Sequence, residues 1–268
     1  MVLSLSGRIT PACNIVKHPR LLRKIEELQG TTAWGRVLDA GTGPASLPWV
    51  ASLPTEHWTA VSAQSGMLDS ARKSLPARPR ETDRLIQGNW ADPSLLEGEH
   101  FDTVILDHFI GAVDAFAPYY QETLLHRLAS RARGVMYVTG IEPYVPDIVE
   151  QAVGSFVGDL GRLRDACMLL ARERPYREYP AEWVAMHLQG VGFKVTDTTY
   201  LPMRYRDHFL SSQLGICEAR VERFGDPDLA AAMSRRIAAM RARGEALIVE
   251  HDGLPYGRHY VIAAQATA

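Results

Sequence analysis

Cysteine is scarce in this 268-residue chain: Cys13, Cys167 and Cys217 are odd in number and far apart in sequence. That argues against a disulfide framework, and no CxxC or His/Cys spacing offers a metal site, so a reducing compartment, the cytoplasm, is the expected location and no metal is expected. Long apolar runs are also missing. The opening MVLSLSGRIT has neither a basic n-region nor a sustained apolar stretch, and nothing later approaches the roughly 18 to 20 apolar residues of a membrane span, so no membrane association is expected. An excess of charge of one sign is absent too. With 29 Lys and Arg against 31 Asp and Glu, the chain has no basic field for nucleic acid. It shows no internal repeat, no low-complexity tract and no GxSxG nucleophile turn.

What is present is an ordinary globular balance, 46% hydrophobic and 22% charged residues, in a chain long enough for a substantial core. Residues Asn14 to Gln29 have helical apolar spacing and read as a lead-in. Strand candidates follow at Arg36 to Gly41, Trp58 to Val61, Arg84 to Gln87, Phe101 to Leu106 and Gly134 to Thr139. Helical segments at Ala45 to Leu53, Met67 to Ser74, Pro118 to Ser130 and Ile148 to Ala171 alternate with them. Such alternation predicts an α/β fold, a mostly parallel sheet covered on both faces. Trp183 to Gln189 continues as a helix, Phe193 to Tyr200 as a strand, and His259 to Ala264 is expected to close the sheet. The polar stretch Asp207 to His251 between the last two strands reads as a helical lid or an oligomer contact, with a homodimer in view. Its arginines Arg235, Arg236, Arg241 and Arg243 read as a solvated face, and Arg162 with Asp165 as an i,i+3 pair. The division expected is a single domain with a lead-in (1–33), a core (34–206), the lid or insert (207–251) and a last strand (252–268).

One segment stands out chemically. Val37-Leu-Asp39-Ala-Gly41-Thr42-Gly43-Pro-Ala45-Ser46 puts a carboxylate at a strand end and then small residues at alternating positions before a helix. Glycines allow a sharp turn and a close backbone approach to a ligand, and amides at a helix start can meet a polar or anionic group. A dinucleotide fingerprint wants GxGxxG, and its last position here is Ser46.

The segment resembles motif I of the class I S-adenosylmethionine-dependent methyltransferases, an acidic residue followed by GxGxG, with Ala45 for the third glycine. Downstream, Ser62-Ala-Gln64-Ser-Gly-Met67-Leu68 is similar to that family's second strand end and next helix start. Gln87-Gly-Asn89-Trp90-Ala-Asp92 is similar to its third-strand loop, Phe101-Asp102 to Asp107 to its fourth strand, and Tyr179 to Val195 to its late helix and strand. The resemblance spans about Val37 to Tyr200. It implies a Rossmann-like seven-stranded sheet and S-adenosyl-L-methionine as cofactor. Asp39 and Gly41, Thr42 and Gly43 would then support the methionine part, Asn89 and Trp90 would border the adenine, and Asp107 would face the methionine or the acceptor. The family usually carries an acid at the end of the second strand for the ribose hydroxyls. Here Ser62 stands, so Ser62 or Gln64 is expected to bond more weakly, or another group to compensate.

The expected activity is methyl transfer to an N, O or S nucleophile of a small molecule. Asp107 and His108 are the candidates for taking the acceptor's proton. Tyr119, Tyr120, Tyr144, Tyr179 and Arg204 are candidates for the acceptor pocket, because loops after strand ends bind ligands in open α/β sheets. Each also has a plain structural role open to it: a helix cap for Asp107, a hydrogen-bonded core group for His108, aromatic packing for the tyrosines, a solvated loop for Arg204. Two other functions stay open at this point, an NAD-binding oxidoreductase and a non-catalytic S-adenosylmethionine-binding sensor or scaffold.

Overall fold

A computed structural model of the chain describes residues 19–75, 78–143 and 151–267. The chain divides into two compact units. One is an α/β unit whose described residues come from 19–75, 78–143, 175–203 and 256–267; the other draws its described residues from 151–174 and 204–255.

In the α/β unit, α1 (Pro19–Gln29) leads to β1 (Arg36–Asp39), α2 (Ser46–Ser52), β2 (His57–Ser62), α3 (Ser65–Ser74), β3 (Arg84–Gln87) and β4 (Phe101–Leu106). Then come α4 (Phe109–Phe116), α5 (Gln121–Ala129) and β5 (Ala132–Glu142). After α6 (Ala152–Leu170) the chain returns with α7 (Ala181–Gly190) and β6 (Phe193–Tyr205), leaves again through α8 (Asp207–Val221) and α9 (Pro227–Glu250), and ends in β7 (Leu254–Ala266). The seven strands lie in the order β3-β2-β1-β4-β5-β7-β6. Those from β3 to β5 pair in parallel, and β7 pairs antiparallel with β5.

Alternation along the strands builds two apolar layers. Leu38, Val104, Leu106, Met136, Val138 and Ile262 bury one face under Leu124, Leu125 and Leu128 of α5 and Val184 and Leu188 of α7. Val37, Ile105, Tyr137, Val261 and Ala263 bury the other under Leu21 and Ile25 of α1 and Leu47 and Val50 of α2. Both faces are covered, as a mostly parallel sheet requires. One detail departs from the expected elements. The helix expected over Pro118 to Ser130 is α5 alone, and α4 forms where no element was expected. The last apolar run closes the sheet as β7, which runs between β5 and β6. The lead-in helix begins at Pro19 among the described residues, and Asn14 to His18 lie outside them.

The helical unit consists of α6, α8 and α9. Gly244 lets α9 approach its neighbours, since a Cβ there would sit 2.6 Å from Phe156 and 2.8 Å from Leu210. Two expectations about its charges change. Arg162 pairs at i,i+3 with Asp159 on its N-terminal side at 3.5 Å, and Asp165 pairs with the adjacent Arg164 at 2.8 Å. Arg241 and Arg243 are not a purely solvated face: they bridge to Glu218 at 2.7 Å and Asp159 at 3.2 Å. Cys167 and Cys217, fifty residues apart in sequence, are both buried and free, and the Cys217 thiol donates to the Gln213 carbonyl at 3.3 Å.

Candidate functional site

Strand order reverses between β1 and β4: the chain moves from β1 to β2 and β3 on one side, then returns to β4 on the other. In an open α/β sheet the crevice outside the strand ends at this point is the ligand site, because the connecting loops diverge there. Asp39 closes β1 at that position and is fully buried. The loop after it is held by its backbone: Ala40 N–H donates to the Ile105 carbonyl at 3.0 Å, and Thr42 N–H donates to the Val61 carbonyl at 2.8 Å. The Trp90 indole N–H donates to the Ala40 carbonyl at 2.7 Å. Gly43 N–H reaches Ser46 Oγ at 3.2 Å, and Ser46 Oγ donates to Asp39 Oδ2 at 2.8 Å. Gly41 is required by space, since a Cβ would lie 2.2 Å from the Phe109 ring. With α2 only seven residues long, the loop's capacity for a ligand rests on its side chains and turn amides more than on a helix dipole.

Burial raises the Asp39 carboxyl to about 6, with the Ser46 hydroxyl easing its charge and Asp107 adding to the cost. Asp39 Oδ1 and Thr42 Oγ1, both buried, close no hydrogen bond. A buried polar atom left in this state is costly in a folded chain and marks a place where a ligand can supply the partner.

Asp107 follows β4 and accepts a hydrogen bond from Thr139 Oγ1 at 2.7 Å. His108 adopts a left-handed backbone, φ 50°, as it caps α4, and its Nε2 lies 4.0 Å from Asp107 Oδ1. His259 of β7 meets the His108 ring edge to face, with centroids 5.3 Å apart. By strand alternation Asp39, Asp107, Thr139 and His259 continue the face of Val37, Ile105, Tyr137 and Val261, forming a polar row beyond an apolar layer.

The other candidates fall in distinct places. Ser62 ends β2 half-buried, its carbonyl accepting from Gly88 N–H at 3.0 Å. Gln64 caps α3 from outside without a side-chain bond. Asn89 Oδ1 accepts from Ala91 N–H at 2.9 Å, while the Trp90 ring lies in the core beneath the loop. Tyr120 donates to the Trp90 carbonyl at 2.7 Å, whereas Tyr119 is 90% exposed. Tyr179 donates to Asp114 Oδ1 at 3.0 Å and its carbonyl accepts from the Tyr260 hydroxyl at 2.9 Å. Arg204 belongs to the helical unit and donates to the His251 and Asp252 carbonyls at 2.7 and 3.0 Å. Tyr144 lies outside the described residues. Sequence reasoning missed Thr139, His259 and Asp114. Asp114 is buried in α4 and also accepts from Arg177 N–H at 2.9 Å.

No protein-family model matches the chain, and no curated protein sequence shows significant similarity to it. Solved structures do match. A Bacillus halodurans C-125 protein provisionally assigned as a methyltransferase aligns with a TM-score of 0.58 at 13% identity, over 92% of this chain and 99% of its own. The mycolic acid cyclopropane synthase solved with S-adenosylhomocysteine aligns with a TM-score of 0.53 at 14% identity, over 90% and 84%. The chain has the class I methyltransferase fold. The magnesium protoporphyrin IX methyltransferase of Synechocystis, also solved with S-adenosylhomocysteine, shares it with a TM-score of 0.52 at 14% identity, over 94% and 84%.

Proposed function

We propose that the chain binds S-adenosylmethionine in the crevice between β1 and β4 and transfers its methyl group to an N, O or S nucleophile of a small molecule. The observation that carries this reading is the fully buried Asp39, whose Oδ1, like Thr42 Oγ1, closes no hydrogen bond, at the switch point of a class I methyltransferase fold. A carboxylate so placed suits an ammonium group, and a charged partner would hold it ionised. The residues present therefore fit the methionine part of the cofactor, with Asp39, Gly41, Thr42 and Gly43 as its cradle. Ser62, Gln64, Asn89 and Trp90 are assigned to the ribose and adenine side. Ser62 offers a neutral hydroxyl where a carboxylate is usual, which places more of the binding on Asp39.

When bound, the cofactor supplies an electrophilic methyl group on a good leaving group, so alignment and exclusion of water are the protein's main tasks. Asp107 is assigned to the methionine or the acceptor, and Asp107 or His108 holds the acceptor's proton when one must be removed. Tyr120 and Tyr179 are each anchored through the hydroxyl, which fixes their rings as walls rather than proton carriers. Calorimetric titration with S-adenosylmethionine, S-adenosylhomocysteine and NAD tests the cofactor, and binding of NAD alone would overturn the reading. Incubation with labelled S-adenosylmethionine and a small-molecule cell extract then separates a methyltransferase from a sensor, since only the former yields a labelled metabolite.

A further inference from the structure

The turn between β4 and α4 carries both groups assigned to proton handling, and its conformation is an expensive one. His108 has φ 50°, a left-handed backbone that a residue with a Cβ rarely adopts unless neighbouring structure imposes it. The imposing group is on the adjacent strand. Thr139 of β5, 1% exposed, stands opposite the end of β4, one step beyond the Leu106 and Val138 pair. Its Oγ1 accepts the His108 backbone N–H at 3.0 Å and donates to Asp107 Oδ1 at 2.7 Å. Because a backbone N–H can only donate, the hydroxyl proton is free for the carboxylate, and both directions are determined. One side chain thus satisfies the first amide of the strained turn and fixes one oxygen of Asp107.

We propose that Thr139 is a positioning residue of the site, its hydroxyl clamping the β4–α4 turn so that Asp107 presents Oδ2 to the crevice and His108 holds its ring beside it. The inference rests on the reading of that crevice as the S-adenosylmethionine site. A valine would keep the shape and β-branching of Thr139 and remove only the two hydrogen bonds. A serine would keep the hydroxyl.

The test compares Thr139→Val and Thr139→Ser in the full chain, alone and combined with Asp107→Asn. With S-adenosylhomocysteine as the probe, titration calorimetry should show binding weakened about tenfold or more in Thr139→Val and within about threefold of the parent in Thr139→Ser. In the Asp107→Asn background, Thr139→Val should add less than about twofold, because the two residues act through one carboxylate. A general structural role would carry its full effect into that background. A ligand-free readout stands beside these: the His108 ring resonances, assigned with His108→Gln, should move in Thr139→Val and stay in Thr139→Ser. Unmoved resonances in both variants overturn the clamp, as does binding by Thr139→Val within twofold of a parent that binds. Moved resonances in a protein that takes up no S-adenosylhomocysteine support the clamp and overturn the cofactor reading instead.

Discussion

Replacing Asp39 by asparagine should make the ligand-free protein more stable while removing its affinity for the cofactor. The carboxyl rises from 3.8 to about 6 on folding, chiefly because it is buried. At about 1.4 kcal/mol per decade of proton affinity, the ionised group therefore costs the folded state about 3 kcal/mol at neutral pH. The sign follows from proton counting: a group whose folded pKa is raised binds more protons folded than unfolded, so stability falls as pH climbs from about 4 through 6. Asparagine is isosteric and uncharged, its oxygen can keep the hydrogen bond from Ser46 Oγ, and its amide can donate towards Thr42 Oγ1. Asp39→Asn should accordingly raise the melting temperature at pH 7.5 by roughly 5 to 10 °C. About half of the free-energy gain should remain at pH 5, and almost none at pH 3.5. Differential scanning calorimetry of both proteins across that range measures the effect, and S-adenosylhomocysteine should stabilise only the parent. An Asp39→Asn protein that melts at or below the parent at pH 7.5, or a gain that does not shrink towards pH 5, would refute the electrostatic reasoning.

Other positions give sharper local tests. Gly41→Ala drives a Cβ to 2.2 Å from the Phe109 ring, which should cost about 1 to 3 kcal/mol in urea unfolding, and the added Phe109→Ala should recover part of it. Trp90→Phe keeps the packing but strips the Ala40 carbonyl of its indole donor; a loss of about 1 to 2 kcal/mol in the same assay is expected, together with weaker cofactor binding. In the helical unit Glu173 joins Arg220, at 2.8 Å, and Arg223, so Glu173→Ala should destabilise by about 1 to 3 kcal/mol. Cys167 and Cys217 are buried at 0% exposure, and peptide mapping after brief alkylation should find both unmodified until denaturant is added.

The repeating part of the fold was legible because its chemistry is local. Arg84 to Gln87 and Phe101 to Leu106 announce themselves as strands by β-branched and apolar runs between turn residues, and their observed limits agree with the sequence reading. The Asp39 to Gly43 turn was legible for the same reason, since a strand end, a carboxylate and two glycines lie within five residues. Helix α4 was not, because Phe109 to Phe116 is a short apolar run carrying Gly111, and its cap is His108 in a left-handed conformation rather than a serine or aspartate. The place of β7 between β5 and β6 is equally invisible to periodicity, which records what a strand buries and not which strand it pairs with. Arg241 and Arg243 mislead in the same way: on one helix they read as solvated charge, and only the packing of α9 brings Glu218 and Asp159 to them.

The polar row shows why a site of this kind resists sequence reading even when each residue is in plain view. Asp39, Asp107, Thr139 and His259 come from four separate parts of the chain, and what unites them is a shared parity along β1, β4, β5 and β7. One step earlier on each strand the same face carries Val37, Ile105, Tyr137 and Val261, which build the core. The change from apolar to polar is staggered across four neighbouring strands towards their crevice end: Asp39 is level with Ile105 and Tyr137, Thr139 with Val261, and His259 with Ile141. A sheet selected for stability alone would continue the apolar layer, and the rise of the Asp39 carboxyl to about 6 measures what departing from that choice costs. Thr139 and Ser46 stabilise two of the carboxylate oxygens in the row and leave Asp39 Oδ1 without a bond. Stability and ligand affinity are thus coupled at a single atom, and substitutions that relieve the cost at Asp39 should be the ones that abolish binding.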